Sequence, residues 1–104
     1  MPLLRLATSR ETDEDLADIL EHSGLSWGMS QARRYLDGLR VGFRRLREYP
    51  YSGHDRSDLF PGMRGAAVQQ HRIFYLVRED HIYIVRVLHE REDAEAELGA
   101  VDPE

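Results

Sequence analysis

The spacing of apolar residues predicts two consecutive helices in the first half of the chain. Leu16, Ile19 and Leu20 recur at helical spacing, so we expect a first helix from about Arg10 to Ser23. A second set repeats every three or four positions up to about Tyr49, before a proline that opposes further helix. The link between the two helices is short, which predicts a helical hairpin.

Polar residues at the expected helix ends support these boundaries. Thr8 and Glu11 have the spacing of a capping box, in which each side chain accepts a hydrogen bond from a backbone N–H group at the helix start. Gly24 is a suitable stop for the first helix, and Ser26 is a suitable cap for the second.

Alternating and continuous apolar runs predict strands on both sides of the hairpin. A short strand is expected at residues 3–8, a loop at 50–62, and three strands at 64–69, 72–77 and 82–88. The predicted fold class is therefore α+β: an N-terminal strand and an α-helical hairpin packed on a small antiparallel β-sheet, in the order β-α-α-β-β-β, with a short C-terminal helix or tail. We expect one domain over residues 1–104, with residues 90–104 as its acidic tail.

The last predicted strand is apolar on both faces. Strict alternation groups Ile82, Ile84, Arg86 and Leu88 on one face, and Tyr83, Val85 and Val87 on the other. A strand of this kind is covered on both sides. The helical hairpin can cover one face, and the acidic tail is too polar to cover the other. We therefore expect a groove between hairpin and sheet that a protein partner fills, and poor solubility without that partner.

Charge is unevenly distributed along the 104 residues. Residues 1–89 contain 13 Arg and 12 Asp or Glu, whereas residues 90–104 contain one Arg and seven Asp or Glu. There is no lysine, and the body is close to neutral, which opposes a role based on neutralising many phosphates. The chain has no cysteine and no long apolar run, so we expect a cytoplasmic protein without a membrane segment.

Arginines and histidines lie at the ends of the predicted sheet strands. Arg64, Arg72 and Arg86, with His71 and His89, could bind a phosphate and move protons. Alternatively, Arg64 and Arg86 pair with acidic neighbours and His71 lies at a solvent-exposed edge. The histidines lack metal-ligand spacing, so we expect neither a metal nor another cofactor.

A row of arginines follows one side of the second helix. Arg33, Arg40, Arg44 and Arg47 recur along it, with Asp37 in the same stripe. The stripe is either a solvated helix face or a docking surface for an acidic partner, which the planar guanidinium suits.

Several short motifs occur in a fixed order over nearly the whole chain. They are Asp15-Leu16-x-x-Ile19, Gly28-x-x-Gln31-Ala32-x-x-Tyr35-x-x-x-Leu39, Phe43-x-x-Leu46-x-x-x-Pro50, Ser52-Gly53, Pro61-Gly62-x-Arg64, His71-Arg72-Ile73-Phe74-Tyr75 and Ile84-Val85-Arg86-Val87-Leu88-His89-x-Arg91-x-Asp93. In this order and spacing they resemble the RelE/ParE superfamily of bacterial toxins, and the last segment is especially similar to the ParE branch.

The resemblance implies one of two mechanisms. RelE-type toxins cleave mRNA on the ribosome with arginine, lysine, histidine or tyrosine at the sheet and the C-terminal strand. ParE-type toxins are described as poisons of DNA gyrase that a ParD-type antitoxin neutralises. This chain has no lysine, and Glu90 stands where some ribosome-dependent relatives have a tyrosine. We therefore expect a non-enzymatic, ParE-like toxin. A ribosome-dependent endoribonuclease and a gyrase-inactive, antitoxin-binding module are the alternatives.

The resemblance also implies the partners. We expect a ribbon-helix-helix antitoxin of ParD type in a hetero-oligomer, DNA gyrase as the target, and DNA contact only through the antitoxin. No catalytic residue is predicted, and we place the gyrase contact near the C-terminal strand and tail. The predicted partner-binding residues are Arg64, Arg72, Arg86, His89, Arg33, Arg40, Arg44 and Tyr83.

Overall fold

A helical hairpin lies on one face of a five-stranded sheet in the computed structural model, which describes residues 3–99. The elements are β1 (Arg5–Thr8), α1 (Arg10–Trp27), α2 (Met29–Glu48), β2 (His54–Asp55), β3 (Arg64–Val68), β4 (His71–Val77), β5 (His81–His89) and α3 (Ala94–Leu98). The sheet order is β1-β5-β4-β3-β2, with β1 parallel to β5 and the other pairs antiparallel. The predicted α+β class is confirmed. The two-residue β2 was not predicted, because so short a strand has no periodicity.

The helix ends differ from the predicted caps. Ser9, not Thr8, caps α1 by accepting a hydrogen bond from the Thr12 N–H at 2.9 Å. Gly24 does not stop α1, which continues to Trp27. The two helices meet at Gly28, whose φ of 90° is readily adopted by glycine. The predicted cap by Ser26 is therefore wrong, since this residue lies inside α1.

The apolar face of α2 packs directly on the sheet. Leu39, Phe43 and Leu46 are buried against Ile73 and Ile84 in one core. Glycine permits a close approach near the middle of α2, where a Cβ atom on Gly42 would lie 2.7 Å from Cγ2 of Val68. The missing side chain of Gly42 therefore lets α2 lie close to β3.

The opposite sheet face is also covered, and the acidic tail provides part of the cover. Ala94 and Leu98, four residues apart in α3, turn inward while Glu95 between them is exposed. Met63, from the loop before β3, completes the cover. The core on this face contains Met63, Phe74, Leu76, Val85, Leu88, Ala94 and Leu98. The expectation that the tail is too polar to cover the sheet is therefore wrong.

A β-bulge interrupts the alternation of β5. Phe74 pairs with Arg86 while the next residue of β4, Tyr75, pairs with Ile84, so Val85 is an extra residue in β5. As a result Ile84 and Val87 both belong to the core under the helices. Val85 and Leu88 belong to the core under α3. The predicted grouping of residues by strict alternation is correct before the bulge and inverted after it.

The first turns of α1 close the edge of β5 beyond the end of β1. β1 pairs with β5 only as far as Ile84. Beyond that point, the Ser9 hydroxyl donates to the Val85 carbonyl at 2.7 Å and the Thr12 hydroxyl donates to the Ile84 carbonyl at 3.0 Å. The Asp15 carboxylate accepts from the Val87 N–H at 3.0 Å. Side chains of one helix face thus satisfy backbone groups that a neighbouring strand would otherwise satisfy.

Arg86 is held at the same edge by a two-pronged ion pair. Its Nε and Nη2 atoms donate to the two carboxylate oxygens of Asp15 at 2.8 and 2.7 Å, and Nη1 lies 3.7 Å from Glu97 in α3. Both side chains of the Arg86–Asp15 pair are largely buried, at 14% and 13% exposure. Hydrogen bonding to Asp15 raises the pKa of Arg86 above its usual value. This pair therefore joins α1, β5 and α3.

We predict that Asp15→Ala lowers the free energy of unfolding by about 3 kcal/mol, because it leaves a buried guanidinium and the Val87 N–H without their acceptor. Chemical denaturation measures the change. Glu14→Ala, which removes an exposed carboxylate 4.0 Å from Arg10 on the same helix, is the matched control and should cost about 0.5 kcal/mol or less. Equal effects of the two substitutions would contradict a structural role for the Asp15–Arg86 pair.

Candidate functional site

A cavity of about 510 Å³ lies between α1, the start of α2 and the adjoining ends of β4 and β5. It occupies the region between hairpin and sheet where a groove was predicted, although both sheet faces are already covered. Its lining residues are Asp15, Asp18, Ile19, His22, Ser23, Ser26, Trp27, Tyr35, Gln70, His71, Arg86, Val87, His89 and Glu92.

Tyr35, His71 and His89 form an array along one wall of this cavity. The Tyr35 hydroxyl lies 2.6 Å from Nδ1 of His71 and accepts a hydrogen bond from the Gln70 N–H at 3.1 Å. The hydroxyl can donate its proton to Nδ1 when neutral His71 carries its own proton on Nε2. The His71 ring meets the Tyr35 and His89 rings edge to face, with centroids 5.4 and 5.2 Å apart.

Burial favours the uncharged forms of His71 and Tyr35. Desolvation is the main cause that lowers the pKa of His71, and the neighbouring His89 lowers it further. Desolvation also raises the pKa of the Tyr35 hydroxyl. Burial thus favours neutral His71, whose partly exposed ring is hydrogen-bonded to the Tyr35 hydroxyl.

The guanidinium groups of the three arginines at the predicted strand ends bind different partners. Arg64 donates to the carbonyls of Tyr51 and Gly53, both at 3.0 Å, and its guanidinium carbon lies 5.4 Å from the centre of the Tyr51 ring. Arg72 is the second residue of β4, and it donates to the Glu90 carbonyl at 2.7 Å. These two arginines hold backbone segments in place, so neither joins Arg86 in a phosphate-binding cluster.

His89 and Tyr83 lie on opposite faces of β5. The His89 ring lines the cavity, and its Nδ1 accepts from the Arg91 N–H at 3.1 Å. Tyr83 is half-buried and packs against the core under α3. Of the predicted partner-binding residues, only Arg86 and His89 therefore line this cavity, together with the candidate His71.

The helix-two arginines form an exposed surface away from the cavity. Arg40 is paired with Asp37 at 3.0 Å, and Arg44 with Glu48 at 3.6 Å. Arg33 is exposed, and its side chain has no hydrogen bond or ion pair within the described residues. Arg47 is not part of this surface, because its Nε donates to the Leu4 carbonyl at 2.6 Å.

The helical contribution to the cavity was missed by the sequence analysis. One side of α1 carries four of the lining residues at helical spacing: Asp15, Asp18, His22 and Ser26. This spacing could have indicated a polar helix face, but only the apolar stripe was considered. Within residues 3–99, no group of three His, Asp or Glu side chains could hold a metal ion. None of the helices in the same range is long and apolar enough to cross a membrane.

The fold is similar to that of solved toxin–antitoxin structures. A structure described as the chromosomal ParDE toxin–antitoxin system from Pseudomonas aeruginosa superposes with a TM-score of 0.73, at 20% identity, over 84% of this chain and 96% of that chain. The toxin–antitoxin complex RelBE2 from Mycobacterium tuberculosis superposes with a TM-score of 0.59, at 16% identity, over 85% and 99%. The chain therefore shares its fold with chains of both structures.

Sequence comparison decides between the branches. The family model described as the ParE toxin of the type II toxin–antitoxin system parDE matches residues 6–94. Toxin ParE from Escherichia coli is 36% identical over 90 residues, which is 86% of this chain and 87% of that protein. Toxin ParE1 from Caulobacter vibrioides is 36% identical over 91 residues, or 88% and 94%. The chain belongs to the ParE toxin family of type II toxin–antitoxin systems.

We predict that His71 makes the stability of the fold sensitive to mild acid. Because burial holds the pKa of His71 below its ordinary 6.5, the unfolded chain binds more protons as the pH falls through that value. The contribution of His71 to stability is thus complete above about pH 6.5 and declines below it. His71→Asn, whose amide oxygen can replace Nδ1 as an acceptor, should lose less stability between pH 7.5 and pH 5.5 than wild type, over a window of about two pH units.

Denaturation curves across this pH range measure the difference, with substitution of the exposed His54 by Asn as the control. The control should keep the pH dependence of wild type. Parallel curves for wild type and His71→Asn would contradict the prediction.

Proposed function

We propose that this ParE-family toxin inhibits DNA gyrase without catalysing a reaction, and that a ParD-like ribbon-helix-helix antitoxin neutralises it. Family membership supports the toxin class. The observation that carries the non-enzymatic part is the ion pair between Arg86 and Asp15. Gyrase and its DNA are cytoplasmic, so the proposed site of action is the cytoplasm.

Arg86 is the arginine of the C-terminal strand, where a RelE-type toxin would place a cation against RNA. Its Nε and Nη2 donors both point at Asp15, and Glu97 lies near Nη1. A phosphate would have to displace a carboxylate that also accepts the Val87 N–H. Such a displacement would open the edge of β5, which argues against phosphate binding as the normal use of Arg86.

A ribosome-dependent endoribonuclease is the second candidate, and one observation favours it. Tyr35, His71 and Arg86 line the same cavity, and a phenol, a neutral imidazole and a guanidinium are suited to proton transfer and charge stabilisation. Two further carboxylates, Asp18 and Glu92, also line that cavity and would repel an RNA phosphate. This local charge makes the gyrase proposal the better supported of the two.

The exposed arginines of α2 are the proposed surface for an acidic antitoxin segment. Arg33 has no partner within residues 3–99, and Arg40 and Arg44 are paired only with exposed carboxylates of their own helix. Exchange of such weak pairs for carboxylates of a partner costs little. In the resulting hetero-oligomer the antitoxin would supply the contact with DNA.

The gyrase contact is proposed on the outer surface of the C-terminal segment. Exposed Glu90 and Glu95 carry charge there, whereas Ala94 and Leu98 of the same segment face the core. A truncation after His89 would therefore uncover the sheet as well as remove the charge. Glu90→Gln with Glu95→Gln is the cleaner test of this contact, since both side chains are exposed.

We predict that the purified toxin converts plasmid to cleaved or relaxed forms in the presence of gyrase and ATP, and leaves ribosome-bound mRNA intact. Tyr35→Phe and His71→Asn should retain gyrase inhibition within about threefold, as residues outside the target contact. Arg72→Ala serves as the arginine control, because Arg86→Ala would disturb the fold. If the wild-type protein cleaves mRNA, and Tyr35→Phe or His71→Asn abolishes that cleavage, the protein is a ribonuclease instead. Antitoxin binding without either activity would indicate a gyrase-inactive module.

We also predict that Arg33→Glu with Arg40→Glu weakens binding of the co-encoded antitoxin by at least about tenfold, since two attractive charges become repulsive. Isothermal titration calorimetry at two salt concentrations measures the loss and its electrostatic origin. The matched control reverses Arg5 and Arg10, which are exposed outside α2. Equal affinity of the α2 variant and the control would remove α2 from the antitoxin interface.

A further inference from the structure

The cavity continues along one face of α1 as a groove. Its lining residues on this helix extend from Asp15 to Trp27, twelve residue steps or about 18 Å at the helical rise. Tyr35, His71 and His89 form much of the opposite wall, and Ile19 and Val87 supply apolar surface. A groove of this length can hold a short peptide segment with one side chain inserted in the cavity.

The charge of the lining is negative although the body of the chain is nearly neutral. Three carboxylates line the cavity with a single guanidinium, and Asp15 and Arg86 neutralise each other. The Asp18 carboxylate forms no hydrogen bond or ion pair within residues 3–99. Glu92 uses one oxygen to accept the His89 N–H at 2.9 Å. Two carboxylates therefore remain available to a cationic group.

An aromatic and apolar rim stands at the end of the groove where α1 meets α2. Trp27 is 56% exposed and lines the cavity, as does Tyr35 of α2. Leu25 and Met29, on either side of Trp27 in sequence, are 81% and 48% exposed. Aromatic faces attract guanidinium and ammonium groups, and exposed apolar side chains attract apolar neighbours of the inserted residue.

We propose that this cavity receives an arginine or lysine side chain from an otherwise apolar segment of the antitoxin, with Asp18 and Glu92 binding its charge and Trp27 packing on its stem. This inference rests on the proposed function, because it names the chemistry of the antitoxin at a second place on the toxin. The antitoxin would then bind through two opposite charges: acidic residues on the α2 arginines and a basic residue in the cavity.

The test neutralises the two available carboxylates and compares the result with an equal charge change elsewhere. Asp18→Asn with Glu92→Gln should weaken binding of the co-encoded antitoxin at least about tenfold and reduce its salt dependence. Glu14→Gln with Glu21→Gln removes the same charge from exposed positions of α1 outside the cavity and should change affinity less than about twofold. Thermal unfolding of both variants checks that the fold is retained.

The single tryptophan of the chain gives a direct readout of occupancy. With an antitoxin whose own tryptophans are replaced by phenylalanine, acrylamide quenching of Trp27 should decrease in the complex. Replacing each antitoxin Arg and Lys in turn by Gln should identify one substitution that restores quenching and lowers affinity. Trp27→Leu should weaken binding about three- to fivefold, by loss of the aromatic face.

Several outcomes would overturn the proposal, and they are distinguishable from failure of the proposed function. Tight antitoxin binding that is insensitive to Asp18→Asn with Glu92→Gln would remove the cavity but leave the toxin–antitoxin function intact. Absence of antitoxin binding by the wild-type chain would remove both. A concentration-dependent dimer of the toxin alone, lost in the same double variant, would assign the cavity to a second copy of the chain.

Discussion

The ion pair between Asp15 and Arg86 is the contact on which several other features depend. It lies where β5 carries an extra residue and has no strand on the side of β1, so the backbone there needs acceptors and donors from elsewhere. Asp15 accepts both from the guanidinium and from the Val87 N–H. Since Arg86 also lies near Glu97, one buried pair fixes α1, β5 and α3 with respect to one another. The same pair occupies the guanidinium of Arg86, which its sequence position suggested as a phosphate-binding group.

Coverage of both sheet faces by the chain itself changes the physical reason for a partner. An open apolar sheet would make partner binding a requirement for folding, but Met63, Ala94 and Leu98 close that face. The exposed surfaces include the arginines of α2, the acidic groove beside α1, and the apolar junction at Trp27. A partner would therefore be selected by charge and by a local apolar contact.

Much of the fold could be predicted because its elements are strongly periodic. The apolar stripe of α2 and the apolar runs of β4 and β5 predicted the types and order of these elements. The ordered motifs along the chain predicted the family. The site was predicted less well. Arg64, Arg72 and Arg86 are all near strand ends in sequence, but Arg64 and Arg72 bind backbone carbonyls whereas Arg86 binds Asp15. The bulge at Val85 also moves the last residues of β5 to other faces. A single inserted residue inverts every side chain after it, and alternation alone does not reveal it.

The sequence by itself determined the helical hairpin, the strand order along the chain, the acidic C-terminal segment and the family. These follow from local periodicity, composition and short motifs, which depend on neighbours along the chain. Only the tertiary structure decided that Arg86 is bound by Asp15, 71 residues away, and that Ala94 and Leu98 cover the sheet. It also brought Asp18 and Trp27 to the same cavity as His71 and Glu92. Such contacts depend on how distant elements pack, and the spacing of residues within one element carries no information about that packing.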